Sequence, residues 1–267
     1  MSNNTSYKKA FILLTSLFFM WGLLTVLVDS LIPRLKEIFE LTYFQAGMVQ
    51  FAFFIAYGLV SIPAGNILQK IGYKKGVILG LIIMGIGCGL FFPAAAFRVF
   101  PVFLLAYFTL ASGMTFLQVA ANPYVTVLGS ASGASSRLNL AQAFNSLGTA
   151  IAPILGATFL LSDKILSNKE ITLLNNIDKE NYFLLESEAV QTPFMILAAI
   201  IFVLAIVIKF IPLPKVLSNT NGNYAKVLQN KKLVFGAIGI FVYVGSEVAI
   251  GSYATSCFSV LLQLASI

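Results

Sequence analysis

The chain has no histidine among its 267 residues. That removes imidazole haem ligation, histidine proton relays and Ser-His catalysis in one step. Cysteine occurs only as Cys88 and Cys257, both within apolar stretches, so there is neither a disulfide framework nor a metal-ligand spacing. Charge is scarce too: 10% of the residues are Asp, Glu, Lys or Arg, where a soluble domain carries about 25%. The net charge of +7 would point to nucleic acid only if the basic residues were gathered on a soluble folded face. They sit instead in short connections between apolar runs, which a membrane surface explains.

What fills the chain is apolar. Hydrophobic residues make up 58% of it, and the mean hydropathy is +0.91. Seven segments stand out, at roughly 10–33, 44–68, 76–97, 100–128, 138–161, 190–211 and 233–256. Each is long enough to cross a ~30 Å hydrocarbon core at ~1.5 Å per residue, with the excess taken up by tilt. The first follows Lys8 and Lys9 as a signal peptide would. It is longer than the usual hydrophobic region of such peptides and has no A-x-A site before Pro33, so it reads as a retained span. The predicted fold class is all-α, a polytopic membrane protein. Because the last stretch, CFSVLLQLASI, is still apolar, the expectation is a fragment or a truncated reading frame.

Lys and Arg concentrate in cytoplasmic connections of membrane proteins. With the N-terminus inside, the inner segments hold Lys8, Lys9, Lys70, Lys74, Lys75, Arg137, Lys209, Lys215, Lys226, Lys231 and Lys232, with no acid among them. The outer loops mix Arg34, Lys36, Arg98, Lys164, Lys169 and Lys179 with eight acids. An inside N-terminus follows. The outer connection 162–189 is expected to form short surface helices. The connection 212–232 opens with Pro212 and Pro214 and continues through an Asn/Gly-rich cluster, which stops a helix and reads as a linker. The predicted organisation is therefore a six-helix bundle over 1–211, a cytoplasmic linker over 212–232 and the opening of a second bundle over 233–267.

Only two acids lie within the spans, Asp29 in the first and Glu247 in the seventh. A charged side chain at mid-bilayer costs about 2.5–3.5 kcal/mol on insertion scales, so it normally faces a bundle interior or an aqueous cavity. Asp29 is a candidate site residue on that ground; the competing reading is an acid near the interface that meets water. Desolvation disfavours the charged form of a carboxyl group, which lets such a residue take up and release a proton. In the fourth span Gln118 and Asn122 lie four apart on one helical face, and Asn122 precedes Pro123. Pro123 has no N–H, so a backbone carbonyl one turn back is freed. These amides are either interhelical contacts or ligand contacts. In the fifth span Asn139, Gln142 and Ser146 form a polar stripe with Asn145 beside it. Amides both donate and accept, as sugar hydroxyls do. The candidate ligand-binding set is Asp29, Gln118, Asn122 and Asn145, with Trp21 and Tyr57 able to stack on a ring face of a ligand; most phenylalanines are read as lipid-facing.

The stretches LTYFQAGMVQFAFFIAYG, PAGNILQKIGYKKG, LQVAANPYVTVLG, RLNLAQAFNSLG and YVGSEVAIGSY resemble the fucose permease and glucose/galactose transporter branch of the major facilitator superfamily. The resemblance runs through the first six spans into the seventh. It implies a twelve-helix facilitator whose halves rock around a midplane site, of which this chain holds the first half and one further helix. It also implies cation-coupled uptake of a monosaccharide of the fucose, glucose or galactose type. Gly65, Gly72, Lys74 and Lys75 match the superfamily's cytoplasmic gate motif, with Gln69 where the general motif has an aspartate. Asp29 matches the first-helix aspartate that the fucose permease uses in proton-coupled binding. Gln118 stands where that permease has a glutamate and is similar to the glucose/galactose members, some of which couple to sodium. Coupling by proton or sodium then falls to Asp29, with Glu247 as a second candidate.

No cofactor beyond the coupling ion is expected, and the partners expected are the sugar and the lipid bilayer, with no nucleic acid and no obligate protein. A retinal photoreceptor would need a lysine in 233–256, which has none, and an intramembrane hydrolase would need a Ser-Lys or carboxylate pair that the spans do not supply. The alternative to a transporter is a membrane sugar-binding or scaffold protein that does not transport.

Overall fold

A computed structural model describes residues 2–30, 42–159, 168–211, 213, 228–246 and 250. Regular structure among them is entirely helical: α1 (Ser2–Ser30), α2 (Tyr43–Ile71), α3 (Tyr73–Ala96), α4 (Phe100–Val127), α5 (Ala134–Phe159), the short α6 (Asn168–Leu173) and α7 (Asn176–Phe210). The chain divides into two units, Met1–Asn219 and Thr220–Ile267. In the second, residues 231–246 are helical; Glu247 of the predicted seventh span lies outside the described residues.

Five helices are long and apolar enough to cross a membrane, over Ala10–Val28, Gly47–Ile71, Tyr73–Ala96, Phe100–Val127 and Gln191–Phe210. Together with the family match reported below, they make this an integral membrane protein. The predicted fifth span is helical as α5, but its amides and hydroxyls keep it below that apolarity. Local sequence sets the helix ends. Thr42 and Gln45 form a reciprocal capping box at the start of α2, and Gly72, with φ of +79°, makes the turn into α3 that side chains rarely tolerate.

One difference from the sequence reading concerns the outer connection. Its second half is not a separate surface helix but the first turns of α7, which begins at Asn176. Asn175 caps it by accepting from the Asp178 amide at 2.8 Å. A carboxylate in the first turn also favours the helix N-terminus, so the polar segment continues upward from the apolar span. At ~1.5 Å per residue the 35-residue α7 is about 52 Å long, well beyond a bilayer core. Its outer part is held to the α3–α4 turn by Arg98, whose guanidinium donates to Glu180 at 3.2 Å and lies over the Phe183 ring.

α4 is central, packing against α2, α3 and α5 and touching α1. α3 and α4 run antiparallel with their backbones in contact. A Cβ at Gly80 would lie 2.8 Å from the Leu117 amide nitrogen, and one at Gly87 or Gly113 would meet the backbone of Leu110 or Met84. Small residues permit such approach and drive helix association where lipid removes the hydrophobic driving force. α1 and α5 run parallel and meet in the same way, with Gly22 against the backbone of Asn145 and Gly148 against that of Phe19. α7 packs on α3, where Gly85 leaves room for Phe202.

Phenylalanines do more than face lipid. Phe194 of α7 stacks on Phe91 of α3 at 4.1 Å, Phe91 meets Phe103 of α4 edge-on at 5.2 Å, and Phe103 stacks on Tyr107 at 6.3 Å. The row continues into α2 through Phe53, 5.4 Å from Tyr107 and 5.0 Å from Tyr57. Phe91, Phe103, Tyr107 and Phe194 are buried. The row crosses the bundle and ends at the polar residues of α4.

Candidate functional site

In an apolar helix a polar side chain finds its partner across a helix interface. Gln118 does so: its Nε2 donates to Tyr57 Oη at 2.9 Å, joining α4 to α2. Asn122, one turn further along α4, has the opposite character. Its Oδ1 is buried and has no hydrogen-bond partner among the described residues, a condition that costs about 1–3 kcal/mol unless a donor is supplied. Pro123 leaves the Val119 carbonyl without its helical N–H donor, so oxygen acceptors gather on this turn of α4.

α1 meets α4 at Thr25, whose Oγ1 is 3.6 Å from Met114 Sδ while donating to Trp21 O at 2.9 Å. The two helices are antiparallel, because α1 runs with α5 and α5 runs against α4. Trp21, one turn before Thr25, therefore comes to the level of Gln118, one turn after Met114. The Asp29 backbone, near the end of α1, lies one turn beyond Thr25 in the other direction, about 12 Å along the axes from the Gln118 level. Its side chain is outside the described residues.

Asn145 takes a defined place in the α1–α5 interface, where its Nδ2 donates to Phe18 O at 3.0 Å. Gln142 is half-buried and Asn139 exposed on the same helix. The structure thus brings Gln118, Asn122, Tyr57 and the level of Trp21 together, and sets Asn145 in an adjoining interface. A cavity of about 510 Å³ between α1 and α5, lined by Phe11, Ile12, Thr15, Ser16, Phe19, Leu140, Phe144 and Leu147, holds none of the candidate residues. Its apolar walls give a sugar little to bond.

The predicted gate motif lies at the opposite end of the bundle from Arg98. Gly65 is within α2, Gly72 forms the turn, and Lys74 and Lys75 open α3. Lys74 Nζ donates to the carbonyls of Lys209 and Ile211 at 2.9 and 2.8 Å, closing the end of α7. Tyr73 stacks on Tyr124 of α4, 5.6 Å between centroids. Arg137 acts similarly at the end of α4: its Nε donates to Val125 O at 3.1 Å, and its Nη2 donates to Thr126 O and, at 2.9 Å, to Ser130 O. Cations at helix C-termini satisfy orphan carbonyls and the dipole together. The capping roles of Lys74 and Arg137 and the bond from Gln118 to Tyr57 are absent from the sequence reading; they depend on which helices become neighbours. Among the described residues no group of three His, Cys, Asp or Glu side chains could hold a metal ion.

Comparison with known proteins places the chain in a family. The Major Facilitator Superfamily model matches residues 10–266. A glucose/galactose transporter of Brucella abortus biovar 1 (strain 9-941) is 47% identical over 262 residues, which are 97% of this chain and 60% of that protein. The L-fucose-proton symporter of Escherichia coli (strain K12) is 37% identical over 260 residues, 93% of this chain and 59% of the symporter. A crystal structure of a variant of the E. coli fucose:proton symporter, FucP, superposes with a TM-score of 0.82 at 35% identity, over 93% of this chain and 62% of that one. The chain spans about 60% of the length of these curated relatives.

Proposed function

The chain belongs to the Major Facilitator Superfamily, and from that premise we propose that it forms the amino-terminal part of a cation-coupled monosaccharide symporter that works by alternating access. The observation that carries this reading is the polar turn of α4: Gln118 held by Tyr57, Asn122 Oδ1 awaiting a donor, and Trp21 at the same level. Amide acceptors and an indole face are the groups that bind a pyranose, through its hydroxyls and its C–H face. The names of the relatives, glucose/galactose transporter and L-fucose-proton symporter, support a hexose or deoxyhexose as substrate. Those relatives are transporters, and nothing in α4 resembles an activated nucleophile.

In this reading residues 1–211 are the first bundle, 212–232 a cytoplasmic linker and 233–267 the opening of the second bundle. The end bearing Lys74 and Arg137 faces the cytoplasm across the inner membrane. Gly65, Gly72, Lys74 and Lys75 form the cytoplasmic gate. Asp29 and Glu247 carry coupling by proton or sodium, while Asn122 and Asn145 complete the sugar contacts of Gln118. Asp29 then acts about 12 Å from the Gln118 level, through the bundle rather than as its neighbour.

The test is sugar binding by the chain in lipid nanodiscs, followed through the fluorescence of Trp21, its single tryptophan. Saturable changes with D-galactose, D-glucose or L-fucose are expected. Absence of any hexose response at concentrations up to saturation overturns the reading. Gradient-driven uptake, measured after joining the chain to the second bundle of a glucose/galactose transporter relative, separates a symporter from a membrane protein that merely binds sugar.

A further inference from the structure

Resting on the sugar-binding reading of α4, we infer that Tyr57 is a positioning residue: its phenol sets the Gln118 amide so that Oε1 accepts a ligand hydroxyl. The bond from Gln118 Nε2 to Tyr57 Oη, 2.9 Å long, decides which end of the amide faces α2. The terminal torsion of glutamine is otherwise broad, so a free Gln118 would present oxygen and nitrogen to a ligand without preference. With Nε2 engaged, Oε1 is the end left over.

The phenol itself is held in place. Tyr57 joins a row of rings that runs from Phe194 through Phe91, Phe103, Tyr107 and Phe53, with successive centroids 4.1, 5.2, 6.3, 5.4 and 5.0 Å apart. Phe194, Phe91, Phe103 and Tyr107 are essentially inaccessible to solvent and Phe53 is buried, while Tyr57 is half-buried against that packed row, so its ring has little room to swing toward the bundle without moving a neighbour. The row thus restricts the position of Oη from the α2 side, through Phe53, and Gln118 inherits that restriction. Sugar selectivity at this turn then depends on a residue of α2 with its own place in the core.

A purely structural bond would join α2 to α4 and leave ligand preference alone, so the test reads preference. The chain in nanodiscs is titrated with D-galactose, D-glucose, L-fucose and the monodeoxy-galactoses, and binding is read from Trp21 fluorescence with melting temperature recorded in parallel. Tyr57→Phe is expected to weaken binding of the best hexose about three- to tenfold, the range of one neutral hydrogen bond. It should also abolish the penalty for the deoxy sugar that lacks the hydroxyl read by Gln118. Gln118→Ala should erase the same penalty, and the double variant should bind no more weakly than Gln118→Ala alone. Unchanged affinity and an unchanged deoxy pattern in Tyr57→Phe overturn the inference and leave the transport reading intact. Losses that add in the double variant overturn it as well, since each residue then acts separately. A parent chain that binds no hexose overturns the transport reading and this inference with it.

Discussion

Lys74 holds the carbonyl of Ile211 at 2.8 Å, although 137 residues of chain separate them. Its ammonium also takes Lys209 O, so one side chain of the α2–α3 turn closes the last turn of α7. Hydrogen bonds to charged groups contribute about 1.5–3 kcal/mol each where they are shielded, and a cation at a helix C-terminus about 0.3–1 kcal/mol when exposed. Lys74→Met is expected to destabilise the bundle by about 1–2 kcal/mol. Thermal unfolding in detergent, with Lys75→Met as the comparison, checks this; an equal effect of the two would reduce Lys74 to one positive charge among several.

Gly113 admits no side chain, because a Cβ there would meet the backbone of Met84. Gly113→Ala should push α3 and α4 apart and cost about 1–3 kcal/mol, as overpacking does. Gly89→Ala, on the facing helix α3 and with nothing within 4 Å of its Cβ, is expected to be near neutral. Comparable melting temperatures for the two variants would contradict the packing described.

Gln118→Ala should weaken sugar binding by roughly 1–3 kcal/mol if its amide is a buried partner of the ligand. Trp21 fluorescence reads the change directly. Unchanged affinity would take Gln118 out of the site.

Much of this was legible in the sequence, and the remainder divides by physical cause. Span positions follow from the length of apolar runs, which the bilayer imposes and which local sequence states openly. The start of α7 was less plain, because Asp178, Lys179 and Glu180 read as part of short surface helices, whereas Asn175 caps them into the helix that continues as the span. The site shows the sharper limit. That Gln118 and Asn122 share a face is a property of helix periodicity, but that Tyr57 receives the first while the Oδ1 of the second is buried without a donor among the described residues is a property of packing. Likewise Lys74 and Arg137 read as charges at a membrane surface, and only the neighbouring helix ends turn them into caps.

Asp29→Asn copies the protonated acid permanently. In a fusion carrying a second bundle, it should leave sugar exchange intact and abolish accumulation driven by a proton or sodium gradient. A variant that still concentrates sugar as its parent does would place coupling elsewhere, with Glu247 the next residue to change.

The 267-residue chain alone is expected to give no gradient-driven accumulation in vesicles, since alternating access needs two bundles closing around one site. Robust active uptake by the purified chain would refute that expectation.

The pairing of α1 with α5 sets an order of assembly. α3 and α4 are neighbours in the chain and can zip together as soon as both have left the ribosome. α1 cannot do the same, because its Gly22 packs against Asn145 and its Phe19 against Gly148, both on α5. At ~5–20 residues per second, α1 waits on the order of ten seconds in the bilayer for its partner, carrying Asp29 with it. A bulky residue at Gly22 or Gly148 would therefore be felt first as failed assembly of α1 with α5 rather than as lost transport.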